Sequence, residues 1–288
     1  MTLRRLLIGA IVTTCAACSI FTDLSGFSAG SSAAPDGGDA SPDGPSMEAS
    51  VDGGGAGDAG ADAAPLGYRG TVLADKPIAY LRFGEKSGVV ARDETAHGNT
   101  AAVSGTVSWG VPGAIAGDTD TAVGLDGNTS LIDLGDAIDF AAMMPFSLEI
   151  WFNANTIDTT YRFLIGKDDA PATGREEWGV VIHNVDGLYF ERYIAGKGNG
   201  AGTSPMGLRG RWVHTVSTYD GALLTFYVDG AMVDQSADAR PQLTKKVSLY
   251  VGSDGAGHGV FDGALDELAI YDFALPAARV KAHFDAAK

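Results

Sequence analysis

Carboxylates are the commonest groups in this chain that could do chemistry, and their spacing decides which chemistry is open to them. The 288 residues carry 36 Asp and Glu against 20 Lys and Arg, a net charge of −16. Cleaving a glycosidic bond takes two carboxylates together, one as nucleophile or base and one as acid. On a single strand that means positions two or four apart, facing one side. No such run is present: Glu149 in SLEIWF stands alone, and Glu176-Glu177 and Asp266-Glu267 are adjacent pairs whose members face opposite sides if extended. His97, His183, His214, His258 and His283 are scattered with no zinc-ligand spacing. His214 lies in a predicted hairpin strand and reads as a half-buried packing residue. VGSDG (251–255) only grazes the Gly-x-Ser-x-Gly pattern and sits in a turn context. The Gly-rich tract lacks the Lys-Ser or Lys-Thr of a phosphate loop. The expectation is that the chain is not an enzyme.

Recognition chemistry remains. Sugar sites combine aromatic faces with polar groups that fix hydroxyls, and Tyr161, Trp178, Tyr189 and Tyr193 are the loop-associated aromatics. Asp168 and Arg175, in GKDDAPATGREEWG, are the polar groups nearest to them in sequence. The alternative is that Trp178, like Trp151 and Trp212, packs in a core, where most strand tryptophans go. The acidic balance argues against nucleic acid and against anionic lipid headgroups as partners.

The elements that must position these residues begin well into the chain. Arg4 and Arg5, the apolar run Leu6 to Val12 and the small residues to Ala17 have the build of a secretory signal peptide. The apolar run falls far short of the roughly 20 residues that span a bilayer. Cys15, Ala16 and Ala17 before Cys18 resemble the lipobox of bacterial lipoproteins, with Cys15 where Leu is usual. Cys15 after Val12-Thr13-Thr14 is a second position, and an ordinary signal peptide leaving a free thiol is the alternative. The resemblance implies residues 1–18 as a signal peptide, lipid on Cys18 and anchoring to a membrane rather than passage through it. Ser19 rather than Asp follows the cysteine, which by the same resemblance points to the outer membrane of a Gram-negative bacterium.

Residues 19–65 read as a disordered, extended acidic linker. Over 28–64 the chain is Gly, Ala, Ser, Pro and Asp apart from Met47, Glu48 and Val51, with no aromatic residue, and its seven acidic residues face no Lys or Arg. From residue 66 to 288, short apolar runs are punctuated about every 8–12 residues by Gly, Asp and Asn, the texture of an all-β sandwich. In RWVHTVSTYDGALLTFYVDGAMV (211–233), Asp220-Gly221 and Asp229-Gly230 signal type I′ hairpins. Further strands are predicted at 78–83, 121–125, 130–134, 146–152, 162–166, 178–183, 187–193, 247–251 and 265–271. One short helix is expected in LPAARVKAHFDAAK (275–288), with Pro276 in its first turn and Val280 and Phe284 on one face.

The order of segments DKPIAYLRFGEKSG, ARDETAHGNTAAV, GVPGAIAGDTDTAVGLDGNTSLIDLG, FSLEIWFNA, RWVHTVSTYDGALLTFYVDG and VGSDGAGHGVFDGALDELAIYDFALPAARVKAHF resembles a laminin-G-like jelly-roll domain. These domains belong to the concanavalin A-like lectin/glucanase superfamily. The resemblance covers about residues 66–288 and implies a two-sheet antiparallel jelly-roll sandwich. It implies a non-catalytic binding module for carbohydrate or a cell-surface protein. An envelope lipoprotein with structural or protein-interaction roles and no small ligand is the alternative, and a polysaccharide-active hydrolase comes third. In relatives with a structural calcium, an Asp opening the last strand ligates the ion with backbone carbonyls from near the domain's N-terminus. GALDELAIYD puts Asp266 there, with Glu85 and Glu267 as helpers; calcium takes about six to eight hard oxygens. The alternative for Asp266 is a carboxylate held by backbone amides. Asp126 and Asn128 in LDGNTS read as a plain hairpin turn.

Overall fold

Alternation along one strand, Phe146–Ala154, lays out the architecture. Phe146, Leu148, Ile150 and Phe152 enter the main core, while Ser147, Glu149 and Trp151 point the other way and are buried all the same. A strand covered on both sides needs a layer on each. One layer is a second sheet; the other is a pair of short helices.

The structure is a computed structural model that describes residues 67–168, 177–244, 246–255 and 259–288. The expected signal peptide, Cys18, the 19–65 linker and Arg175 lie outside the described residues. Among the described residues, sixteen strands, β1 to β16 in chain order, form two antiparallel sheets. The first runs β14 (Ala231–Ala237), β13 (Leu223–Val228), β12 (Val213–Tyr219), β7 (Phe146–Ala154), β16 (Asp262–Tyr271), β5 (Thr121–Asp126), β4 (Val107–Pro112), with β1 (Ala79–Leu81) also pairing β16. The second runs β11 (Lys197–Thr203), β10 (Gly187–Ile194), β9 (Glu177–His183), β8 (Arg162–Asp168), β15 (Tyr250–Val251), β6 (Leu131–Asp133), β3 (Ala101–Ser104), β2 (Val90–Ala91). The predicted jelly-roll sandwich is what is found.

Helix α1 (Tyr68–Ala74) was not foreseen. It has no side-chain cap and includes Gly70, Thr71 and Val72, all poor helix formers. Packing makes it: Tyr68, Thr71 and Val72 are buried against the first sheet's outer face. Helix α2 (Ala277–Ala286) lies where expected, with Pro276 at its N-cap and Val280 and His283 buried. Asp75 takes Arg279 Nε at 2.7 Å, joining the two helices.

Two turn expectations part company. Asp229 and Gly230 have φ of 51° and 77°, as a type I′ turn requires. At Asp220-Gly221 only the glycine is left-handed, because Asp220 Oδ1 accepts the amides of Ala222 and Leu223, both at 2.8 Å, and shapes a longer loop. Asp126 does build a turn, accepting from the backbone of Asn128, Thr129 and Ser130.

Candidate functional site

The outer face of the second sheet is open where the first sheet's is covered. On β10, Leu188 and Phe190 enter the core, and Tyr189, Glu191 and Tyr193 point outward. Their cross-strand partners on β11 are all glycine: Tyr189 faces Gly202, Glu191 faces Gly200 and Tyr193 faces Gly198. On the other side, Glu191 faces Gly179 of β9. Bare positions on both flanks sink β10's outer face into a cleft of about 620 Å³, lined by Tyr161, Asp186, Tyr189, Glu191, Tyr193, Gly198 and Gly200. A Cβ on Gly198 would lie 2.9 Å from Tyr193 Cζ, and one on Gly202 would collide with Tyr189, so the glycines let the rings lie against the strand. A second cavity of about 460 Å³ shares Asp186, Tyr189 and Gly200 and continues to Asp234.

Tyr161 closes one end. Its ring stacks on His183 at 4.2 Å with the planes 4° apart, and its hydroxyl donates to Asp186. The amides of Val185 and Asp186 donate to His183 Nδ1, leaving Nε2–H to donate to Thr159 O at 3.1 Å. These contacts fix the plane of the imidazole, which pins the tyrosine although that side chain is 48% exposed. The hydrogen bond to Asp186 raises the Tyr161 pKa, and burial, then the Glu191 charge, raises that of Tyr189. Both hydroxyls stay protonated, able to donate as well as accept. Flat tyrosine faces beside carboxylates in a preformed cleft suit a ligand with apolar faces and hydroxyl edges.

Of the predicted recognition residues, Tyr161, Tyr189 and Tyr193 come together here. Trp178 does not: it is 1% exposed, on the inner side of β9 against the stacked pair Phe140 and Phe146, at ring distances of 5.4 and 5.3 Å. The period of two that sends Val180 and Ile182 inward sends Trp178 with them. Asp168, at the end of β8, is half-buried and does not line the cleft. Asp186 was missed because its turn carries no aromatic residue. The glycines were missed because β11, KGNGAGT, does not read as a strand, although glycine at every second position was its signal.

Elsewhere, Glu149 is fully buried on the opposite outer face and is the acceptor of a closed network. It takes Tyr68 Oη at 2.8 Å, Tyr271 Oη at 3.0 Å, His214 Nε2 at 2.8 Å and His283 Nδ1 at 2.8 Å. His283 Nε2 meets Asp75 at 2.8 Å, so both ring nitrogens donate and the imidazole is a cation. Burial pushes the Glu149 pKa up, but His283 and His214 hold it well below the usual carboxylate range. Burial likewise opposes, and Glu149 and Asp75 overcome, in raising that of His283. His214, expected to be half-buried packing, is instead a fully buried hydrogen-bond partner.

The position implied for calcium holds a different arrangement. Asp266 and Glu267 do not face opposite sides: a bulge in β16, with Glu267 at φ 54°, buries both carboxylates. Asp266 accepts the Ala114 amide at 2.8 Å, and burial and the Glu267 charge push its pKa well up. Glu85 instead accepts the Arg92 amide at 2.8 Å, in a pocket with Arg82, Arg92 and Glu94. Among the described residues, no group of three or more His, Cys, Asp or Glu is arranged to hold a metal ion. Asp118, Asp120 and Glu267 already face Arg82, a donor set that fits calcium poorly, while Asp266 Oδ1 and Glu85 Oε2 are buried with no hydrogen-bond partner among the described residues.

Comparison with known proteins agrees with the fold. Domain 4 of AbnA, an extracellular GH43 arabinanase from Geobacillus stearothermophilus solved in complex with arabinotriose, matches with a TM-score of 0.58 at 19% identity. The match covers 74% of this chain and 98% of that one. The binding domain of botulinum neurotoxin DC, solved in complex with SialylT, matches at 0.56 and 12% identity over 75% of this chain and 52% of that one. Mouse (Mus musculus) Pappalysin-1 is 28% identical over 145 residues, which are 45% of this chain and only 9% of that protein. Residues 126–281 match a laminin-G family, and the chain belongs to the concanavalin A-like lectin/glucanases superfamily.

Proposed function

We propose that the domain is a non-catalytic carbohydrate-binding module and that it takes glycan in the cleft between Tyr161 and Tyr193. The observation that carries the reading is the row Tyr189, Glu191, Tyr193 set against three glycines. The C–H face of a sugar ring can lie on the tyrosines and the bared backbone while Asp186 and Glu191 receive its hydroxyls. Support comes from the fold neighbours solved in complex with arabinotriose and with SialylT. The adjoining second cavity favours a chain of several sugars over a single terminal one. In the same proposal, lipid on Cys18 and the acidic 19–65 linker hold the module away from an outer-membrane surface.

A glycan and polysaccharide array with the full chain, in calcium and again in EDTA, tests this, followed by calorimetry on each hit with Tyr189→Ala. Binding that the substitution weakens supports the reading. A blank array would move the weight to a protein-binding envelope component. Cleavage of a bound oligosaccharide would overturn the non-catalytic part and direct attention to Asp186 and Glu191.

A further inference from the structure

Arg82 follows β1 directly, and its side chain is 14% exposed. Its Nη2 donates to Glu267 Oε1 at 2.7 Å and to Asp118 Oδ2 at 2.8 Å. Its Nε donates to Glu267 Oε1 at 3.0 Å and lies 3.1 Å from Asp120 Oδ2. Tyr80 donates a further hydrogen bond to Glu267. Carboxylates from the loop after β4 and from the last strand thus converge on one point, as hard oxygens converge on a divalent ion. The positive charge at that point belongs to the chain. A planar guanidinium offers five donors in fixed directions, and here it spans three carboxylates.

The backbone is bent to achieve this. Phe83, next to Arg82, has φ 58°, and Glu267 has φ 54° at the β16 bulge. Non-glycine residues persist in the left-handed region only when their surroundings over-determine them, and here one is a member of the ion pair and the other adjoins its partner. Room is cleared as well: a Cβ on Gly84 would overlap the Asp120 carboxylate, and one on Gly113 would lie 3.0 Å from Asp266 Oδ2.

We propose that Arg82 is a built-in cation in the place of the structural calcium that the family resemblance implied, joining the first and last strands without metal. A divalent ion among Asp118, Asp120 and Glu267 would have to displace the guanidinium or sit against its charge. The consequence is a domain whose stability is indifferent to calcium.

Thermal unfolding of the full chain in millimolar calcium and in EDTA tests the proposal. The wild-type Tm should agree between the two within about 1 °C. Arg82→Ala should lose on the order of 10 °C, because it leaves the buried Glu267 carboxylate and the partly buried Asp118 and Asp120 without a counter-charge. It should recover part of that loss in calcium, which can then enter the emptied position. Arg82→Lys keeps a charge but not the fork; it should fall between the two and gain nothing from calcium. A wild-type Tm that drops on chelation overturns the proposal, as does an Arg82→Ala protein that is no less stable or that calcium does not help. If Arg82→Ala folds only in calcium, the proposal stands. If it folds in neither buffer, the wild-type comparison and Arg82→Lys decide.

Discussion

On the outer face of the first sheet, Glu149 is surrounded by two tyrosines and two histidines and roofed by α1 and α2. On the outer face of the second, Glu191 lies between tyrosines with glycine on either side and an open cleft above. Both carboxylates sit mid-strand, and a strand pattern alone treats them alike. What separates them is the neighbouring element. Where aromatic hydroxyls and imidazoles converge and a helix closes over them, the carboxylate is consumed by structure. Where the neighbours are glycine, a carboxylate that is itself largely buried lines a cleft instead.

The largest effect should come from the closed face. Glu149→Ala leaves two tyrosine hydroxyls and two histidines buried without their acceptor. The expected cost is about 3–5 kcal/mol, a Tm lower by roughly 10 °C. Glycan affinity of the protein that remains folded should not change. If calorimetry on the folded variant shows binding weakened as much as by a tyrosine substitution in the cleft, the division of labour between the faces fails.

Next comes the open face. Tyr189→Ala removes a ring from the middle of the cleft, and an aromatic anchor of this kind is worth about 2 kcal/mol, or roughly 30-fold in Kd. Its outer position holds up little of the core, so Tm should move by less than about 3 °C. A large Tm loss with unchanged affinity would reverse the assignment.

How far these faces could be read in advance depended on the rule each residue obeys. β7, β12 and β13 are rich in β-branched and aromatic residues and were legible as strands, and so was the β12–β13 hairpin, but the pairing of β7 with β12 was not. The tyrosines of the cleft were legible too, because aromatic residues among polar loops stand out. Three features were not. β11 is a strand because β10 and the edge strand β14 hold it, with Asn199 tied to Ala237 O at 2.8 Å, while its composition argues against a strand. Helix α1 exists through Tyr68 and Val72 packing on the sheet, against its own propensity. Glu267 broke the alternation rule through a bulge that the Arg82 pair requires, and no local pattern announces a contact 185 residues away.

A smaller change sharpens the role of the glycine rail. Gly198→Ala places a methyl where Tyr193 Cζ lies, 2.9 Å away, so the ring must swing outward. Affinity should fall about five- to tenfold, near 1 kcal/mol. Stability should hold or rise by up to about 1 kcal/mol, since alanine suits a strand interior better than glycine. Opposite signs for binding and stability mark a position kept bare for a ligand. Parallel losses would mark one kept bare for packing.

The smallest effect is a pH dependence confined to the closed face. The His283 pKa is raised above its ordinary 6.5, so its stabilising contribution is complete below that value and is lost as pH rises through the raised one. Glu149 is depressed below its ordinary 4.5, so its contribution is complete above that value and is lost as pH falls toward the depressed one. Together they set a plateau between about 4.5 and 6.5. The difference in unfolding free energy between wild type and His283→Gln, followed by denaturant titration, should therefore be widest on the acid side of 6.5 and shrink toward alkaline pH. A difference that grows with pH would mean that His283 is held neutral between Glu149 and Asp75, and that one of those carboxylates carries the proton.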